Sequence, residues 1–284
     1  MSEECKSLEN TAKSQEKQKP LNSIQNYTNA AECFKKYNKE KQEQNCLEKA
    51  AYIYRTLGNN ENNPEKAFSH YQHSADLYKK INKLNESDKS LNEGYNRFIE
   101  ISKNIMKDAS NASEDFEAES LYEKASNYAI KGNNIELKNK CWIEAGNRFR
   151  SSASKIQSPF DAFNMYKFAI KNYTKGEAAE LTTQTYEESA DKFEKIGNTI
   201  EKSNKDLVLA IYNYNQAKIL YEKVNNQKNT VSIQDKIEEL CKTIGISIEF
   251  IISYLNSNQL KPIQFDFSNE QSLIDSINLS LRNN

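Results

Sequence analysis

The sequence predicts an all-α chain, a right-handed α-solenoid of helix hairpins closed by a C-terminal helical cap. Three observations predict it. Only 7 Gly and 4 Pro punctuate 284 residues, far fewer turn formers than a sheet protein of this size requires. The chain is polar, with 28% charged residues and a mean hydropathy of -0.88, yet 16 Tyr and 12 Phe supply bulky groups for small residues to pack against. Above all, one four-residue pattern recurs along most of the length.

The pattern is a large apolar residue, small residues three and four positions on, and an aromatic at seven. It reads Tyr27-Ala30-Ala31-Phe34, Leu47-Ala50-Ala51-Tyr54, Tyr71-Ser74-Ala75-Tyr78 and Leu91-Gly94-Tyr95-Phe98. It continues with Leu121-Lys124-Ala125-Tyr128, Trp142-Ala145-Gly146-Phe149, Tyr166-Ala169-Ile170-Tyr173, Tyr186-Ser189-Ala190-Phe193 and Tyr214-Ala217-Lys218-Tyr221. Tyr95, Lys124, Ile170 and Lys218 break the small-residue rule. These offsets place all four side chains on one helical face, where small central residues let two backbones approach and aromatics fill the flanking space. Alternate copies are separated by 44 or 45 residues over most of the chain, so the repeat is a pair of helices. The stretch between Leu91 and Leu121 is longer and predicts a loop around Asp108–Ser113.

Helix ends are marked as well. Pro64 after Asn63 and Pro159 after Ser158 read as first helical positions. Gly58, Gly132 and Gly197 each follow a repeat aromatic and read as left-handed caps that end a helix. The abundant Asn of the loops reads as polar filler. Past Tyr221 the period weakens, but Ile237, Leu240, Cys241, Ile244, Ile248, Ile252 and Leu255 keep helical spacing and suit a terminal cap. The expected organisation is a polar, unstructured segment over 1–20, a hairpin repeat region over 21–224, a capping helix region over 225–261 and a tail over 262–284. In the tail, Ser268 and Gln271 have capping-box spacing ahead of an apolar stripe through Leu273, Ile274, Ile277 and Leu281.

A net charge of -1 lacks the basic excess of a nucleic-acid binder. The 5 cysteines, Cys5, Cys33, Cys46, Cys141 and Cys241, are scattered, with no Cys-x-x-Cys pair; three of them fall among helical core positions, and a reducing, cytoplasmic setting is the natural expectation. The apolar run from Ile244 to Leu255 contains Glu249 and is too short to span a bilayer. In that setting the sequons at Asn26, Asn111, Asn172 and Asn278 carry little meaning. His70 and His73, with Asp76, have metal spacing, but they flank the packing face and read as a solvated helix side. With 2 His and 7 Gly in the whole chain, no nucleophile elbow and no glycine-rich phosphate loop can be composed, so no catalytic residue, cofactor or metal is assigned. The tyrosines read as core rather than as a ligand-stacking surface.

Two resemblances follow. Trp142-Ile-Glu-Ala145-Gly146-Asn-Arg-Phe149 resembles the first-helix signature of a tetratricopeptide repeat, although the period here exceeds the usual 34 or so residues. The long repeat is similar to the soluble NSF attachment proteins (SNAPs), as in Tyr122–Tyr128, Ala162–Tyr166 and Asn63-Pro-Glu-Lys-Ala67 followed by Ser74-Ala75-Asp-Leu-Tyr78. That similarity covers roughly Tyr27 to Tyr221. It implies a non-enzymatic adaptor, a monomer when free, that grips a SNARE complex with a basic face and recruits an NSF-type AAA ATPase. Contact with membranes would be peripheral at most. The basic residues beside the repeat face are Arg97, Lys124, Arg148, Arg150 and Lys167. Leu279 or Leu281 would stand for the family's ATPase-stimulating leucine, but the tail lacks the family's acidic cluster, and docking on the chain's own last repeat is the favoured reading. The stretch to Pro20 likewise lacks the family's membrane-touching hydrophobic loop. The alternative on the same fold is a general tetratricopeptide scaffold holding a peptide or helix.

Overall fold

A computed structural model describes residues 2–204, 206–250 and 253. These contain the eleven α-helices that follow, helical residues again at 248–250 and 253, and no strand. They are α1 (Ser2–Gln15), α2 (Pro20–Lys36), α3 (Glu40–Asn60), α4 (Pro64–Lys80), α5 (Leu84–Asn111), α6 (Asp115–Lys131), α7 (Ile135–Lys155), α8 (Pro159–Lys175), α9 (Ala179–Ser203), α10 (Leu207–Lys223) and α11 (Gln227–Ile244). The chain forms two compact units, residues 1–145 and 146–284, with the boundary inside α7. Within the first, neighbours pack from α1 through to α6; within the second, from α8 through to α11. The all-α chain of helix hairpins that the repeat predicts is what is found.

Each of the nine quartets lies on its own helix, from α2 to α10. Their central small residues are sealed: Ala30, Ala50, Ala51, Ala125, Ala169, Ala190 and Ala217 are fully buried. Of the tyrosines, Tyr27, Tyr71, Tyr166, Tyr173, Tyr214 and Tyr221 are among the largest buried side chains, as core rather than surface.

The even helices α2, α4, α6, α8 and α10 are each 17 residues long, whereas α3, α5, α7 and α9 run from 21 to 28. Every even helix passes to the next through three residues, and the middle one is left-handed: Asn38, Asn82, Asn133, Glu177 and Asn225, with φ between 51° and 59°. The third residue donates its N–H to the carbonyl five positions back, as in Lys39 to Phe34, Lys83 to Tyr78 and Ala178 to Tyr173. These are Schellman closures, which satisfy carbonyls that a helix end leaves open. The loop asparagines are therefore structural, because Asn tolerates the left-handed region better than other residues with a Cβ.

The glycines are placed differently from expectation. Gly58 and Gly197 lie inside α3 and α9, and Gly132 caps α6 with a φ of -79°, leaving the left-handed turn to Asn133. Gly58, Gly146 and Gly197 each lie under a tyrosine ring of the next helix. An added Cβ would come within 3.0 Å of Tyr71, 2.6 Å of Tyr173 and 2.8 Å of Tyr214, respectively. In all three cases the tyrosine hydroxyl donates to the asparagine after the glycine: Tyr71 to Asn59 at 2.7 Å, Tyr173 to Asn147 at 2.8 Å and Tyr214 to Asn198 at 2.8 Å. The Gly-Asn pair is thus a socket for a tyrosine, not a stop.

Three further expectations change. Residues 108–111 continue α5, whose 28 residues slide α6 along it, so that Lys131 at the end of α6 reaches Glu65 at the start of α4, 2.7 Å away. No Gly or Pro stands at 108–113 to stop that helix. The N-terminal segment expected to lack structure is helix α1, packed on α2 with Cys5 and Ala12 fully buried. The same packing joins Cys5 to Cys33 in a disulfide with Cα atoms 5.4 Å apart, whereas Cys46, Cys141 and Cys241 are free and buried. The tail features at Ser268–Gln271, Leu279 and Leu281 lie outside the described residues.

Two substitutions test this account. Asn38→Gly removes a left-handed residue with a Cβ and should raise stability by up to about 1 kcal/mol. Gly197→Ala drives a Cβ into the Tyr214 ring and should lower it by about 1–3 kcal/mol, despite the better helix propensity of Ala. Denaturant midpoints measure both; a stabilising Gly197→Ala would show that the socket is not tight.

Candidate partner-binding surface

The odd helices of each unit are tied together by side chains that skip the intervening even helix. In the first unit, Lys49 on α3 pairs with Glu9 on α1 at 3.1 Å. Arg55 on α3 grips Glu93 on α5 with two guanidinium nitrogens, Nε at 2.6 Å, and reaches Glu86 at 3.2 Å. Lys83, just before α5, pairs with Glu48 on α3. In the second unit, Arg150 on α7 holds Glu188 on α9 through two nitrogens, Nε at 3.0 Å, with Gln184 at 3.4 Å. Lys192 on α9 caps the end of α7 by donating to the carbonyls of Ser154 and Ile156. Lys236 on α11 reaches Glu194 and Asn198 on α9 at 2.9 and 3.0 Å.

The two arginine clamps are copies of one device. Each arginine directly follows the last aromatic of a quartet, Tyr54 or Phe149. Each acidic partner lies 38 residues later, two positions into the next quartet of the same parity. The hydrogen bond to Glu188 holds the Arg150 guanidinium above its ordinary range against the opposing effect of burial, and that to Glu93 does the same for Arg55. Bidentate arginine–carboxylate pairs are stiffer and stronger than single contacts. Sequence reasoning missed this ladder, although its spacing repeats identically in both units.

The five basic residues singled out from sequence separate accordingly. Arg150 is engaged in its clamp, and Arg97 donates from Nη2 to the Glu61 carbonyl at 2.7 Å, closing the end of α3. Lys124 is exposed on α6, Lys167 is exposed on α8 with Nζ 5.2 Å from the Phe163 ring centre, and Arg148 is half-buried on α7. Lys124 belongs to the first unit, whereas Arg148 and Lys167 share the second.

A groove of about 670 Å³ lies along α3 in the first unit. Buried Ile53 and Tyr78, half-buried Leu57 and the 64% exposed Tyr52 line it, with Glu16, Lys17, Glu48 and Lys49 adding charge. Sequence reasoning missed this feature too, because Tyr52 lies off the quartet face. His70 and His73 stand beside Tyr54, with ring centres 6.1 and 5.1 Å away. Burial lowers the pKa of His70, which favours the neutral ring. Among the described residues, no group of three or more His, Cys, Asp or Glu is placed to hold a metal ion, and no helix is long and apolar enough to cross a membrane.

Buried tyrosine hydroxyls add a second polar layer. Tyr27 donates to Glu16 at 2.5 Å, Tyr214 to Glu201 at 2.5 Å, and Tyr221 to Asp191 at 2.5 Å and Glu194 at 3.1 Å. Burial first, and then these carboxylates, push the three phenols well above the usual tyrosine range; burial alone leads in raising Tyr166 to about 12. Ionising such a phenol in the folded state places a negative charge beside a carboxylate.

No family model and no curated protein matches the sequence. Among solved structures, the crystal structure of BtubC (BKLC) from P. vanneervenii is similar at 9% identity and a TM-score of 0.23, covering 86% of this chain and 91% of that one. A DHF79 filament is similar at 14% identity and a TM-score of 0.19, covering 78% of this chain and 98% of that one. At those scores neither likeness carries an argument.

Phenols with raised folded-state pKa values give stability that is fully present below their unfolded value of about 10 and is lost as pH rises above it. The denaturation midpoint should therefore fall steeply above about pH 10. Tyr214→Phe should cost about 1 kcal/mol at neutral pH, through its lost hydrogen bonds, and make the alkaline fall shallower. An unchanged alkaline slope in that variant would remove Tyr214 from the account.

Proposed function

We propose that this chain is a non-catalytic adaptor of the SNAP type, which holds a SNARE helical bundle and presents it to an NSF-type AAA ATPase. The observation that carries the reading is the repeat itself. Nine quartets occupy nine consecutive helices in pairs of about 44 residues, longer than ordinary tetratricopeptide units, and the SNAP-like segments fall on those helices. Work of this kind is mechanical: helix pairs offer surface to a partner, and no bond in the partner is made or broken. The ladder of clamps supports such a role by fixing successive odd helices against one another within each unit.

Basic contacts with an acidic bundle fall to Lys124 and Lys167, since the guanidinium groups of Arg97 and Arg150 serve the chain's own helices. Leu279 and Leu281 remain the candidates for stimulating the ATPase, and the adaptor would act in the cytoplasm, on membranes only through its partners. A general scaffold that holds an extended peptide is the second reading, and the groove beside Tyr52 is the observation that favours it.

Binding of a purified four-helix SNARE bundle distinguishes the readings. Combined Lys124→Glu and Lys167→Glu should weaken binding at least about tenfold at low salt, with little change in stability, and wild-type binding should fall steeply as salt rises. Arg150→Glu should instead lower the denaturation midpoint. Absence of bundle binding at any salt, together with peptide capture that is lost in Tyr52→Ala, would transfer the assignment to the general scaffold.

A further inference from the structure

We propose that the Cys5–Cys33 bridge is a redox latch that holds helix α1 on the first hairpin, α2–α3, and releases it when a thiol reductant opens the bridge. The case rests on how small the apolar side chains are that α1 buries against its neighbours. Of its 14 residues, Cys5 and Ala12 are fully buried and Leu8 partly so, and all three are small or medium in size. By comparison, α2 buries Ile24, Tyr27, Ala30, Ala31 and Phe34. An isolated helix of this length is marginal in water, so α1 persists as a helix only while docked.

The other ties are polar. Ser23 donates to the Ala12 carbonyl at 2.7 Å, Asn26 to Gln15 at 2.9 Å and Tyr27 to Glu16 at 2.5 Å, and Lys49 pairs with Glu9 at 3.1 Å. Water can replace each of them when α1 leaves. The bridge is of a different kind: it links α1 to α2 near the end far from their connecting turn, across a sequence separation of 28.

Opening the bridge consumes two electrons from the reductant. A reductant thiolate attacks one bridge sulfur, forms a mixed disulfide and expels the other cysteine as thiolate. A second reductant thiol then displaces the remaining cysteine and leaves as the reductant's own disulfide, while the two thiol protons end on Cys5 and Cys33. Cys33, the half-buried member, gives the attacking thiol access. Cys46 lies in the same core cluster, but burial pushes its thiol up to about 11, so it stays protonated and does not recapture the partners.

Hydrogen exchange of the purified full-length chain, air-oxidised and then dithiothreitol-reduced, tests the latch, with thiol titration after denaturation reporting the state of the bridge. The oxidised chain should show 3 reactive thiols and the reduced chain 5. On reduction, exchange within residues 3–15 should accelerate at least about tenfold, trypsin should gain cleavage after Lys13 and Lys17, and α2–α5 should keep their protection. Cys33→Ser and Cys5→Ser, each alone, should behave like the reduced chain with or without reductant. Five reactive thiols in the oxidised chain, or unchanged protection of residues 3–15 after full reduction, overturns the proposal. Loss of protection throughout α2–α5 on reduction also overturns it, because the bridge would then staple the whole unit.

Discussion

Everything in this protein depends on how closely one helix backbone can approach the next. Alanine, serine and glycine at the centre of each quartet remove side-chain volume at the crossing, and the aromatics on either side refill the space. The tyrosine sockets are the limiting case, since at Gly146 and Gly197 even one carbon would collide with the facing ring. A ring seated so deeply carries its hydroxyl inward, and a buried hydroxyl needs a partner. The asparagine next to each glycine supplies it. Packing and hydrogen bonding are therefore one requirement, which explains why glycine and asparagine occur together inside long helices that otherwise disfavour both.

That coupling explains the division of labour between helices. Even helices keep one length and end in one turn, so the register from each even helix to the next odd one is fixed by a left-handed residue rather than by packing alone. Odd helices vary in length, and they carry the clamps. A longer odd helix moves the following hairpin along its axis, as α5 moves α6 towards the start of α4. Arg55 and Arg150 hold the odd helices in register at similar places in their repeats, while the variable ends remain outside the clamp.

The quartets were legible because their information is periodic and local, each one lying within a single helix. The proline starts were legible for the same reason, and Asn63 and Ser158 do cap α4 and α8 through their side chains. What stayed hidden depended on pairing between helices. Gly-Asn is ambiguous until the facing tyrosine is known, and the same dipeptide at Gly132-Asn133 does lie in a turn. The loop asparagines looked like filler because only backbone conformation distinguishes a left-handed residue from an exposed one. Helix α1 left no trace because its buried residues are a cysteine and an alanine, with no aromatic to set a pattern. The Cys5–Cys33 pairing follows from the antiparallel docking of that helix and from nothing in the local spacing. Of the candidate site, sequence reasoning located basic residues, but could not separate those that serve neighbouring helices from those that face solvent.

That separation changes the electrostatic argument for partner binding. A guanidinium that already grips a carboxylate offers a partner little net charge, and withdrawing it would leave the carboxylate unpaired on the neighbouring helix. Arg150 is also coupled to the fold twice, because it shares α7 with the Gly146-Asn147 socket that receives Tyr173. A partner competing for Arg150 would loosen the same helix contacts that present the surface. Lysines that lie off the ladder, such as Lys124 and Lys167, carry no such cost, and their charge is free to act over the screening length of the solvent. If an acidic partner binds, attraction that leaves the helix contacts intact has to come from lysines off the ladder, and its strength should scale with their number rather than with the total basic content of the repeats.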